Sequence, residues 1–323
     1  MSLTDYTESS VLVTGGAGFI GSNCVNTLVK KGADVVVLDN FQSGLTANLE
    51  EVSKKIKLEK GDVRDFKLVK RLVADRDLVV HYAANASVPA SVENPLYDFE
   101  TNALGTFNIL EAARQSRDDL VIAYASSAAL YGEVIGTPLN EDLCARPISP
   151  YGISKMCGES YCRLFHKTYG IKAVSLRYFN VYGPRQPRYV MFDFLRKLSN
   201  NPDKLEILGS GKQIRDFIYV ADAVNATLMT ADNPSAFGNV FNVCTGVGTS
   251  VSDIAKNMLD LLGLKNTETV FTGKSWEGDV DILVGDPSKL VSLGFEPKYS
   301  LREGLRELIK WYTAVFPTKL RLI

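Results

Sequence analysis

The chain has 323 residues, of which 46% are hydrophobic, and a formal net charge of −1. This size suffices for one large globular domain or two smaller ones. Charges of both signs are spread along the sequence without a basic block, which disfavours nucleic acid as a partner. No apolar stretch reaches about 18 residues, and the N-terminus lacks a signal-peptide pattern. A cytoplasmic protein that does not span or bind a membrane is therefore expected.

The cysteines and histidines indicate neither disulfides nor a metal site. Five cysteines without C-x-x-C spacing predict buried or partly buried thiols in a reducing compartment. The two histidines, His81 and His166, are isolated in the sequence, so we expect structural roles for both and no bound metal.

Short β-branched runs alternate with helical patterns through the first 180 residues. The runs lie near 10–14, 34–38, 56–60, 77–83, 120–126 and 172–177. The two longest helical patterns lie at 98–114 and 151–169. This alternation predicts an α/β fold whose parallel sheet is doubly wound, as in the Rossmann fold.

The first apolar run leads directly into glycines 15, 18 and 21, and a helical pattern follows them. Glycines between a strand and a helix permit a tight turn and a close approach of backbone N–H groups to a pyrophosphate. The next apolar run ends at Asp39, eighteen residues after Gly21. A carboxylate there can accept hydrogen bonds from a ribose diol and would repel a 2′-phosphate. The pattern therefore predicts NAD rather than NADP as the cofactor.

The chain changes character beyond residue 180, where turn-rich segments separate shorter strand-like runs. We therefore predict an NAD-binding domain over residues 1–180 that also receives segments from about 216–246. A smaller mixed α/β lobe over 181–323 would hold the substrate. A helix is predicted from Val251 to Leu261, opened by Ser250 and closed by Gly263. The last residues, 317–323, are expected to form a frayed tail.

Tyr151 and Lys155 stand four residues apart, and Tyr151 is the only tyrosine with a lysine at this spacing. Residues i and i+4 lie on one face of a helix. A free tyrosine has a pKa of about 10, and a fixed cation beside it stabilises the phenolate. The pair could therefore move a proton to or from the hydroxyl group of a sugar or alcohol.

Eight motifs in order give the chain a family resemblance. They are TGGAGFIG (14–21), LDN (38–40), GDVRD (61–65), HYAANASV (81–88), SSAALYG (126–132), SPYGISK (149–155), LRYFNVYGPRQ (176–186) and IRDFIYVAD (214–222). With them the chain resembles the extended short-chain dehydrogenase/reductase family, NAD-dependent epimerases and dehydratases, and within it the UDP-glucose 4-epimerase group. The resemblance extends from about residue 11 to residue 308.

The resemblance implies a role for individual residues. Ser127, Tyr151 and Lys155 would be catalytic, with Ser127 sharing a hydrogen bond with the sugar hydroxyl and Tyr151. Lys155 would bind the nicotinamide ribose and lower the pKa of Tyr151. The residues implied to bind NAD are Gly15, Gly18, Phe19, Ile20, Asp39, Asn40, Asp62, Val63, Ala83, Ala84, Asn102, Tyr151, Lys155 and Tyr178.

The substrate side departs from the family pattern at two positions. Ser127, Asn180 and Arg215 are implied to contact the nucleotide-diphosphate sugar. Where the family commonly has a phosphate-binding arginine, this chain has Trp276, so Lys274 would supply the charge or Trp276 would stack on a base. Leu283 occupies the position that gates the sugar pocket. An ion pair of Arg215 with a neighbouring aspartate, Asp216 or Asp222, is the alternative to phosphate binding.

The resemblance implies NAD-dependent C4 epimerisation of a nucleotide-diphosphate hexose, UDP-linked in the first instance, by a homodimer. The helices at 98–114 and 151–169 would pair across the dimer axis. A 4,6-dehydratase, a decarboxylase or a reductase is the alternative. Dehydratases of the family carry acidic residues directly after the active-site Ser or Thr, where this chain has Ala128 and Ala129. Asp39 disfavours a reductase that uses NADPH. A non-catalytic NAD-binding protein is disfavoured because both Tyr151 and Lys155 are present.

Overall fold

A large parallel sheet organises the N-terminal part of the chain. The computed structural model describes residues 6–116, 119–133, 136–273 and 281–323. The strands of these ranges are β1 (Ser10–Thr14), β2 (Asp34–Asp39), β3 (Ile56–Lys60), β4 (Leu78–His81), β5 (Val121–Ser127), β6 (Lys172–Tyr178), β7 (Asn180–Tyr182), β8 (Lys204–Ile207), β9 (Ile214–Tyr219), β10 (Val240–Val243), β11 (Gly248–Ser250), β12 (Glu268–Phe271) and β13 (Ile282–Leu283).

Seven of these strands form one sheet in the order β10-β6-β5-β4-β1-β2-β3, and every pairing in it is parallel. The central strands are apolar because helices cover both faces of the sheet; Val11, Leu12 and Val13 are fully buried. The six predicted strands all occur, and the predicted doubly wound Rossmann sheet is confirmed. The strand order reverses between β1 and β4, and ligands bind at such a switch point in open α/β sheets.

Helices follow most strands. They are α1 (Phe19–Lys30), α2 (Phe66–Val73), α3 (Val88–Glu93), α4 (Pro95–Asp98), α5 (Gly105–Arg114), α6 (Pro150–Tyr169), α7 (Val190–Asn200), α8 (Val220–Ala231), α9 (Val251–Leu262), α10 (Ser288–Val291) and α11 (Leu301–Val315). Short 3₁₀ helices lie at Thr46–Lys55, Ala128–Leu130 and Pro234–Ala236. No helix in the described ranges is long and apolar enough to cross a membrane.

The helix predicted at 98–114 is interrupted. A π-helical segment, Phe99–Leu104, separates α4 from α5 and includes the predicted cofactor residue Asn102. Such wide turns are uncommon and often lie at functional sites. The sequence pattern did not reveal this segment because its residues are ordinary helix formers.

Helix α6 forms where it was predicted and has a defined end on each side. The Ser149 hydroxyl accepts a hydrogen bond from the N–H of Gly152, and Pro150 occupies the first turn. Gly170 ends the helix in the left-handed conformation, with φ of 73°. Helix α9 is likewise capped by Ser250 and Gly263, as predicted.

Smaller sheets follow residue 180. Strands β11, β9 and β13 form one sheet that β7 joins through β9, and β12 pairs with β8. Strand β10, from the 216–246 region, pairs with β6 in the large sheet. The division of the chain into domains at residue 180 stays a prediction.

Two expectations are wrong. The C-terminal tail is packed rather than frayed: Leu320 is 5% exposed, and the Ile323 N–H donates to the Leu261 carbonyl across 3.0 Å. Leu320 thus belongs to the hydrophobic core, and the backbone of Ile323 bonds to α9, which composition alone did not show. Among the cysteines, Cys144 is exposed, whereas the other four are buried or partly buried.

Candidate active site

The glycine loop lies between β1 and α1 at the switch point of the sheet. Gly15 has a φ of 68°, and a Cβ atom there would lie 2.7 Å from the Ala83 backbone nitrogen in the loop after β4. Helix α1 begins at Gly18 without a side-chain cap, so no side chain at that position occupies its first N–H groups, including those of Phe19 and Ile20. This cradle fits the pyrophosphate of a dinucleotide.

Replacing Gly15 by alanine is expected to abolish NAD binding and to destabilise the fold. The cost combines a left-handed backbone, about 1–2 kcal/mol, with a backbone clash. Gly170→Ala is the matched control, because Gly170 has a φ of 73° but no atom within 4 Å of the added Cβ. NAD titration and urea denaturation of both variants measure the difference. Equal losses of stability and unimpaired NAD binding in both variants would contradict this account of the loop.

Asp39 anchors the glycine loop at the end of β2. Its carboxylate accepts the N–H groups of Ala17 and Phe41, each across 2.8 Å. Burial raises the pKa of Asp39, and these two hydrogen bonds oppose the shift. Next to it, Asn40 donates to the Asp62 carboxylate across 2.9 Å. The structure therefore brings Asp39, Asn40 and Asp62 together at the strand ends beside the loop.

Val63 and Tyr178, two further predicted cofactor residues, are buried in the chain. Val63 is 4% exposed and packs in the core. The Tyr178 hydroxyl bonds to Thr227 across 2.5 Å, and its ring is 7% exposed. Register nevertheless places Tyr178 opposite Ser127 in the sheet. Ala83 and Ala84 follow β4, where their small side chains leave the edge of the sheet open.

Ser127, Tyr151 and Lys155 meet at the carboxyl end of β5. The Ser127 side chain acts on the Tyr151 phenol, and its hydroxyl accepts the Ala129 N–H across 3.2 Å. The Lys155 ammonium donates to the Ala125 carbonyl across 2.7 Å and lies 5.9 Å from the Tyr151 ring centre. The predicted catalytic residues thus form one cluster.

Burial governs the protonation of this cluster. It raises the pKa of the Tyr151 phenol, and the neighbouring Ser127 hydroxyl opposes that rise. It also lowers the pKa of Lys155 to about 8. The prediction is that Lys155 lowers the pKa of Tyr151. In the chain alone the pKa of Tyr151 is raised instead, because the desolvation of the phenol outweighs the charges around it.

Gly152 allows this close assembly. A Cβ atom at Gly152 would lie 2.8 Å from the Ala129 carbonyl oxygen. Any larger residue would push the first turn of α6 away from the 3₁₀ turn that follows Ser127.

Asn102 ties the loop after β4 to α6. Its side chain exchanges hydrogen bonds with the Asn85 backbone, accepting the N–H across 2.8 Å and donating to the carbonyl across 3.2 Å. Its amide also donates to Ser154, whose hydroxyl donates to the Tyr151 carbonyl. Asn102 is 1% exposed, so its side chain is available to hold this loop in place rather than to lie on the surface. Sequence reasoning missed Asn85 and Ser154, although both lie inside quoted motifs.

His81 joins the end of β1 to the first turn of α5. Its Nδ1 lies 2.7 Å from the Thr14 hydroxyl, and its Nε2 lies 3.1 Å from the Thr106 hydroxyl. Thr106 donates its proton to the Asn102 carbonyl, so Nε2 must be the donor and Nδ1 the acceptor. Burial lowers the pKa of His81 to about 3, which keeps it neutral. The expected structural role of His81 thus has a physical basis, and no cluster of metal-ligating side chains occurs in the described part of the chain.

The predicted substrate residues gather in the four-stranded sheet. Register pairs Asn180 with Phe217 in β9, and Leu283 with Arg215. The Asn180 amide donates to the Asp216 carbonyl across 3.2 Å. Leu283 packs on the apolar cluster of Ala128 and Tyr131, directly beyond Ser127. Lys274 and Trp276 lie outside the described residues.

The two aspartates considered as ion-pair partners of Arg215 bind backbone N–H groups instead. Asp216 is fully buried and accepts hydrogen bonds from the backbone N–H groups of Thr245 and Gly246. Asp222 accepts those of Lys298 and Tyr299. Arg215 instead donates to the backbone carbonyls of Ile214 and Asp281.

A parallel sheet in this strand order, with a glycine loop at its switch point, defines a dinucleotide-binding protein of the Rossmann class. Comparison with known proteins identifies its family. The model of the GDP-mannose 4,6 dehydratase family matches residues 12–308. A putative UDP-glucose 4-epimerase from Methanocaldococcus jannaschii is 39% identical over 306 residues, which cover 93% of this chain and 97% of that protein. The dTDP-D-glucose 4,6-dehydratase of Mus musculus is 33% identical, with 95% of this chain and 89% of that protein covered.

Solved structures indicate the same family as the sequence relatives. The UDP-glucose 4-epimerase of Thermotoga maritima, solved with UDP-glucose, has a TM-score of 0.87 and 35% identity, and covers 94% of this chain and 99% of that one. The UDP-glucose 4-epimerase of Thermus thermophilus, solved with NAD, has a TM-score of 0.85 and 36% identity, and covers 95% of this chain and 100% of that one. The chain belongs to the extended short-chain dehydrogenase/reductase family, among its NAD-dependent nucleotide-sugar epimerases and dehydratases.

Proposed function

We propose that the protein is a nucleotide-sugar 4-epimerase with NAD as its cofactor. The observation that carries the proposal is the cluster of Ser127, Tyr151 and buried Lys155 at the sheet edge that also bears the glycine loop. A phenol that could accept a proton would then lie at the same sheet edge as the proposed dinucleotide cradle. Relatives named as epimerases match nearly the whole chain.

In the proposed reaction, Tyr151 as phenolate takes the proton of the sugar 4-hydroxyl, and Ser127 hydrogen-bonds the same oxygen. Bound NAD⁺ supplies a reversible acceptor for the hydride that leaves C4. Lys155 would hold the nicotinamide ribose. The 4-keto sugar would then turn in the pocket before Tyr151 returns the proton and the hydride reaches the other face.

Tyr151 must lose its proton for this step, although burial raises its pKa. The positive nicotinamide ring of bound NAD⁺ would favour the phenolate by direct charge attraction. Asp39 would accept hydrogen bonds from the adenosine ribose, since each of its oxygens keeps a lone pair after binding the backbone N–H groups. NAD is thereby preferred to NADP.

The alternative is dehydration or decarboxylation, because relatives with these activities also match the chain. Both need an additional acid/base pair beside the sugar. The turn after Ser127 offers only Ala128 and Ala129 there, and Ala128 is 2% exposed. Epimerisation is therefore the activity that the described residues support best.

The substrate is proposed to be a UDP-sugar. The structural neighbour from Thermotoga maritima was solved with UDP-glucose. Asn180 and Arg215 would contact the diphosphate, Arg215 through a charge-assisted hydrogen bond. Lys274 and Trp276 would complete this side of the pocket.

A homodimer in the cytoplasm is also proposed. Apolar side chains at the surface of α4, the π-helical segment and α6 would form the interface; they include Leu96, Phe99, Ile153 and Leu164, each at least half exposed. Leu110 and Phe107, on the neighbouring α5, face the core: Leu110 is fully buried, and Phe107 packs against the same apolar cluster.

The test is incubation of the purified protein with NAD and a small panel of nucleotide sugars, followed by mass spectrometry and sugar analysis. We expect a product of unchanged mass whose sugar is inverted at C4. Loss of water or carbon dioxide would establish the alternative. A protein that neither contains nor responds to NAD would contradict the proposal.

A further inference from the structure

Asp98 is a buried carboxylate next to the proposed catalytic pair. It ends α4, directly before the π-helical segment, and its side chain is 0% exposed. Its Oδ1 accepts from the side-chain amides of Asn85 and Asn102, across 3.3 and 3.0 Å. Its Oδ2 is buried and has no hydrogen-bond partner among the described residues. A buried carboxylate with one unsatisfied oxygen is costly, so a compensating interaction is expected.

Lys155 is the cation that offers this compensation: burial raises the pKa of Asp98, and the charge of Lys155 opposes that rise. Asp98 is joined to α6 through Asn102, whose amide bonds both the Asp98 carboxylate and the Ser154 hydroxyl next to Lys155. The Lys155 ammonium is 3% exposed, and its one described hydrogen bond goes to the neutral Ala125 carbonyl. A buried ammonium with only a neutral partner needs a charge of opposite sign nearby.

The other titratable groups around Lys155 do not supply that charge at neutral pH. On β4, burial lowers the pKa of His81 to about 3, so it is neutral. On α6, burial raises the pKa of Cys162 to about 12, so it stays a thiol. On β5, burial raises the pKa of the Tyr124 phenol, whose ring lies 5.2 Å from the ammonium. Asp98 is the remaining anion that acts on Lys155 in the described part of the chain.

Tyr151 faces the same carboxylate. Besides Ser127, the groups that act on its phenol are Asp98 and two residues before α7, Arg188 and Tyr189. The charge of Arg188 favours the phenolate, and that of Asp98 opposes it. Asp98 therefore acts on both members of the pair, and in each case it favours the protonated form.

We propose that Asp98 is a positioning residue of the active site: its carboxylate keeps Lys155 charged and, through Asn102 and Ser154, fixes the first turns of α6. This inference rests on the proposed function, in which Lys155 holds the cofactor and Tyr151 moves the proton. The benefit is a charged lysine at working pH, obtained at the cost of a phenol that is harder to ionise.

Asp98→Asn removes this charge with little change of shape. The amide oxygen can replace Oδ1 and keep the bonds from Asn85 and Asn102, and the amide nitrogen takes the place of the unpartnered Oδ2. Loss of the negative charge favours the deprotonated form of both Lys155 and Tyr151. With an effective dielectric constant of about 20, each group should titrate about one pH unit lower.

Two measurements read out the effect. The first is NMR titration of lysine side chains labelled at Cε and Nζ, with the Lys155 signal assigned by its absence in Lys155→Met. The second is the pH profile of turnover, whose acidic and alkaline limbs should both move to lower pH in Asp98→Asn. Glu93→Gln is the matched control, because it removes an exposed carboxylate at the end of α3, and we expect no shift from it.

The outcomes are distinct. A Lys155 signal that titrates at the wild-type pH in folded Asp98→Asn overturns the inference, as does a loss of turnover without movement of either limb. A lower titration of Lys155 in a protein whose wild type has no epimerase activity supports the inference about the charge and refutes the proposed function. If Asp98→Asn does not fold, Asp98→Ser removes the same charge and leaves room for water to replace the lost contacts.

Discussion

Tyr151→Phe is expected to lower epimerase turnover by about 10³-fold, because proton transfer by a positioned side chain contributes 10²–10⁴-fold. The variant removes only the phenolic oxygen. The ring, the capped first turn of α6 and the Lys155 contact with Ala125 remain. NAD binding should therefore be nearly unchanged. Turnover with a UDP-sugar and NAD affinity are measured on the same preparation, so that lost chemistry is separated from lost cofactor.

Tyr161→Phe is the matched control, since Tyr161 lies on the same helix and packs against Phe107 and Phe165 away from Ser127. It should retain wild-type turnover. If Tyr151→Phe kept wild-type activity, Tyr151 could not be the proton acceptor, and the proposed mechanism would fall with it. If Tyr151→Phe also lost NAD, its role would be to shape the cofactor site.

Parallel strands and the cofactor loop were predictable because their signals are local. Strand β1 and the glycines after it are consecutive in sequence, and the i, i+4 spacing of Tyr151 and Lys155 fixes their common face once the helix is known. Ser127 was added through the family resemblance, and it lies at the end of β5. The fold brings Ser127, Tyr151 and Lys155 together at the end of β5.

The parts that sequence did not show depend on contacts between distant segments. Asp98 and His81 read as ordinary helix and strand residues, and their partners Asn85 and Thr14 reach them only in the folded chain. The π-helical turn has no compositional signature. The packed tail similarly depends on the core that Leu320 enters and on the bond from Ile323 to Leu261 in α9.

Burial also reversed one electrostatic expectation. The sequence predicts a lysine that ionises the tyrosine, whereas the folded chain desolvates both groups and makes each harder to charge. Spacing identifies partners, but it carries no information about the solvent that the partners lose. The pKa values of the pair therefore depend on the surrounding buried groups, of which Asp98 is one.

A buried ion pair holds α6 against the sheet behind the proposed catalytic residues. Glu159 lies one helical turn after Lys155, and Arg177 lies on β6; they are 9% and 5% exposed. The guanidinium donates to both carboxylate oxygens, across 3.0 and 2.5 Å, and to the Tyr131 hydroxyl across 2.9 Å. Ser126 donates to Glu159 across 3.0 Å, so the carboxylate is fully engaged. On balance, the bonds and charge of Glu159 raise the pKa of Arg177 against the effect of burial.

Arg177→Met is expected to destabilise the protein by about 3–5 kcal/mol, because it leaves the Glu159 carboxylate buried without its counter-charge. Arg196→Met, which breaks the exposed pair with Asp193, is the matched control and should cost less than about 1 kcal/mol. The free energies of unfolding come from urea denaturation.

The double variant Arg177→Met, Glu159→Met should recover part of the loss of stability, since the uncompensated charge is gone. A double variant as unstable as the sum of its single variants would show that the two side chains act independently. Recovery of stability together with lower turnover would show that the pair keeps α6, and with it Tyr151, in register with Ser127.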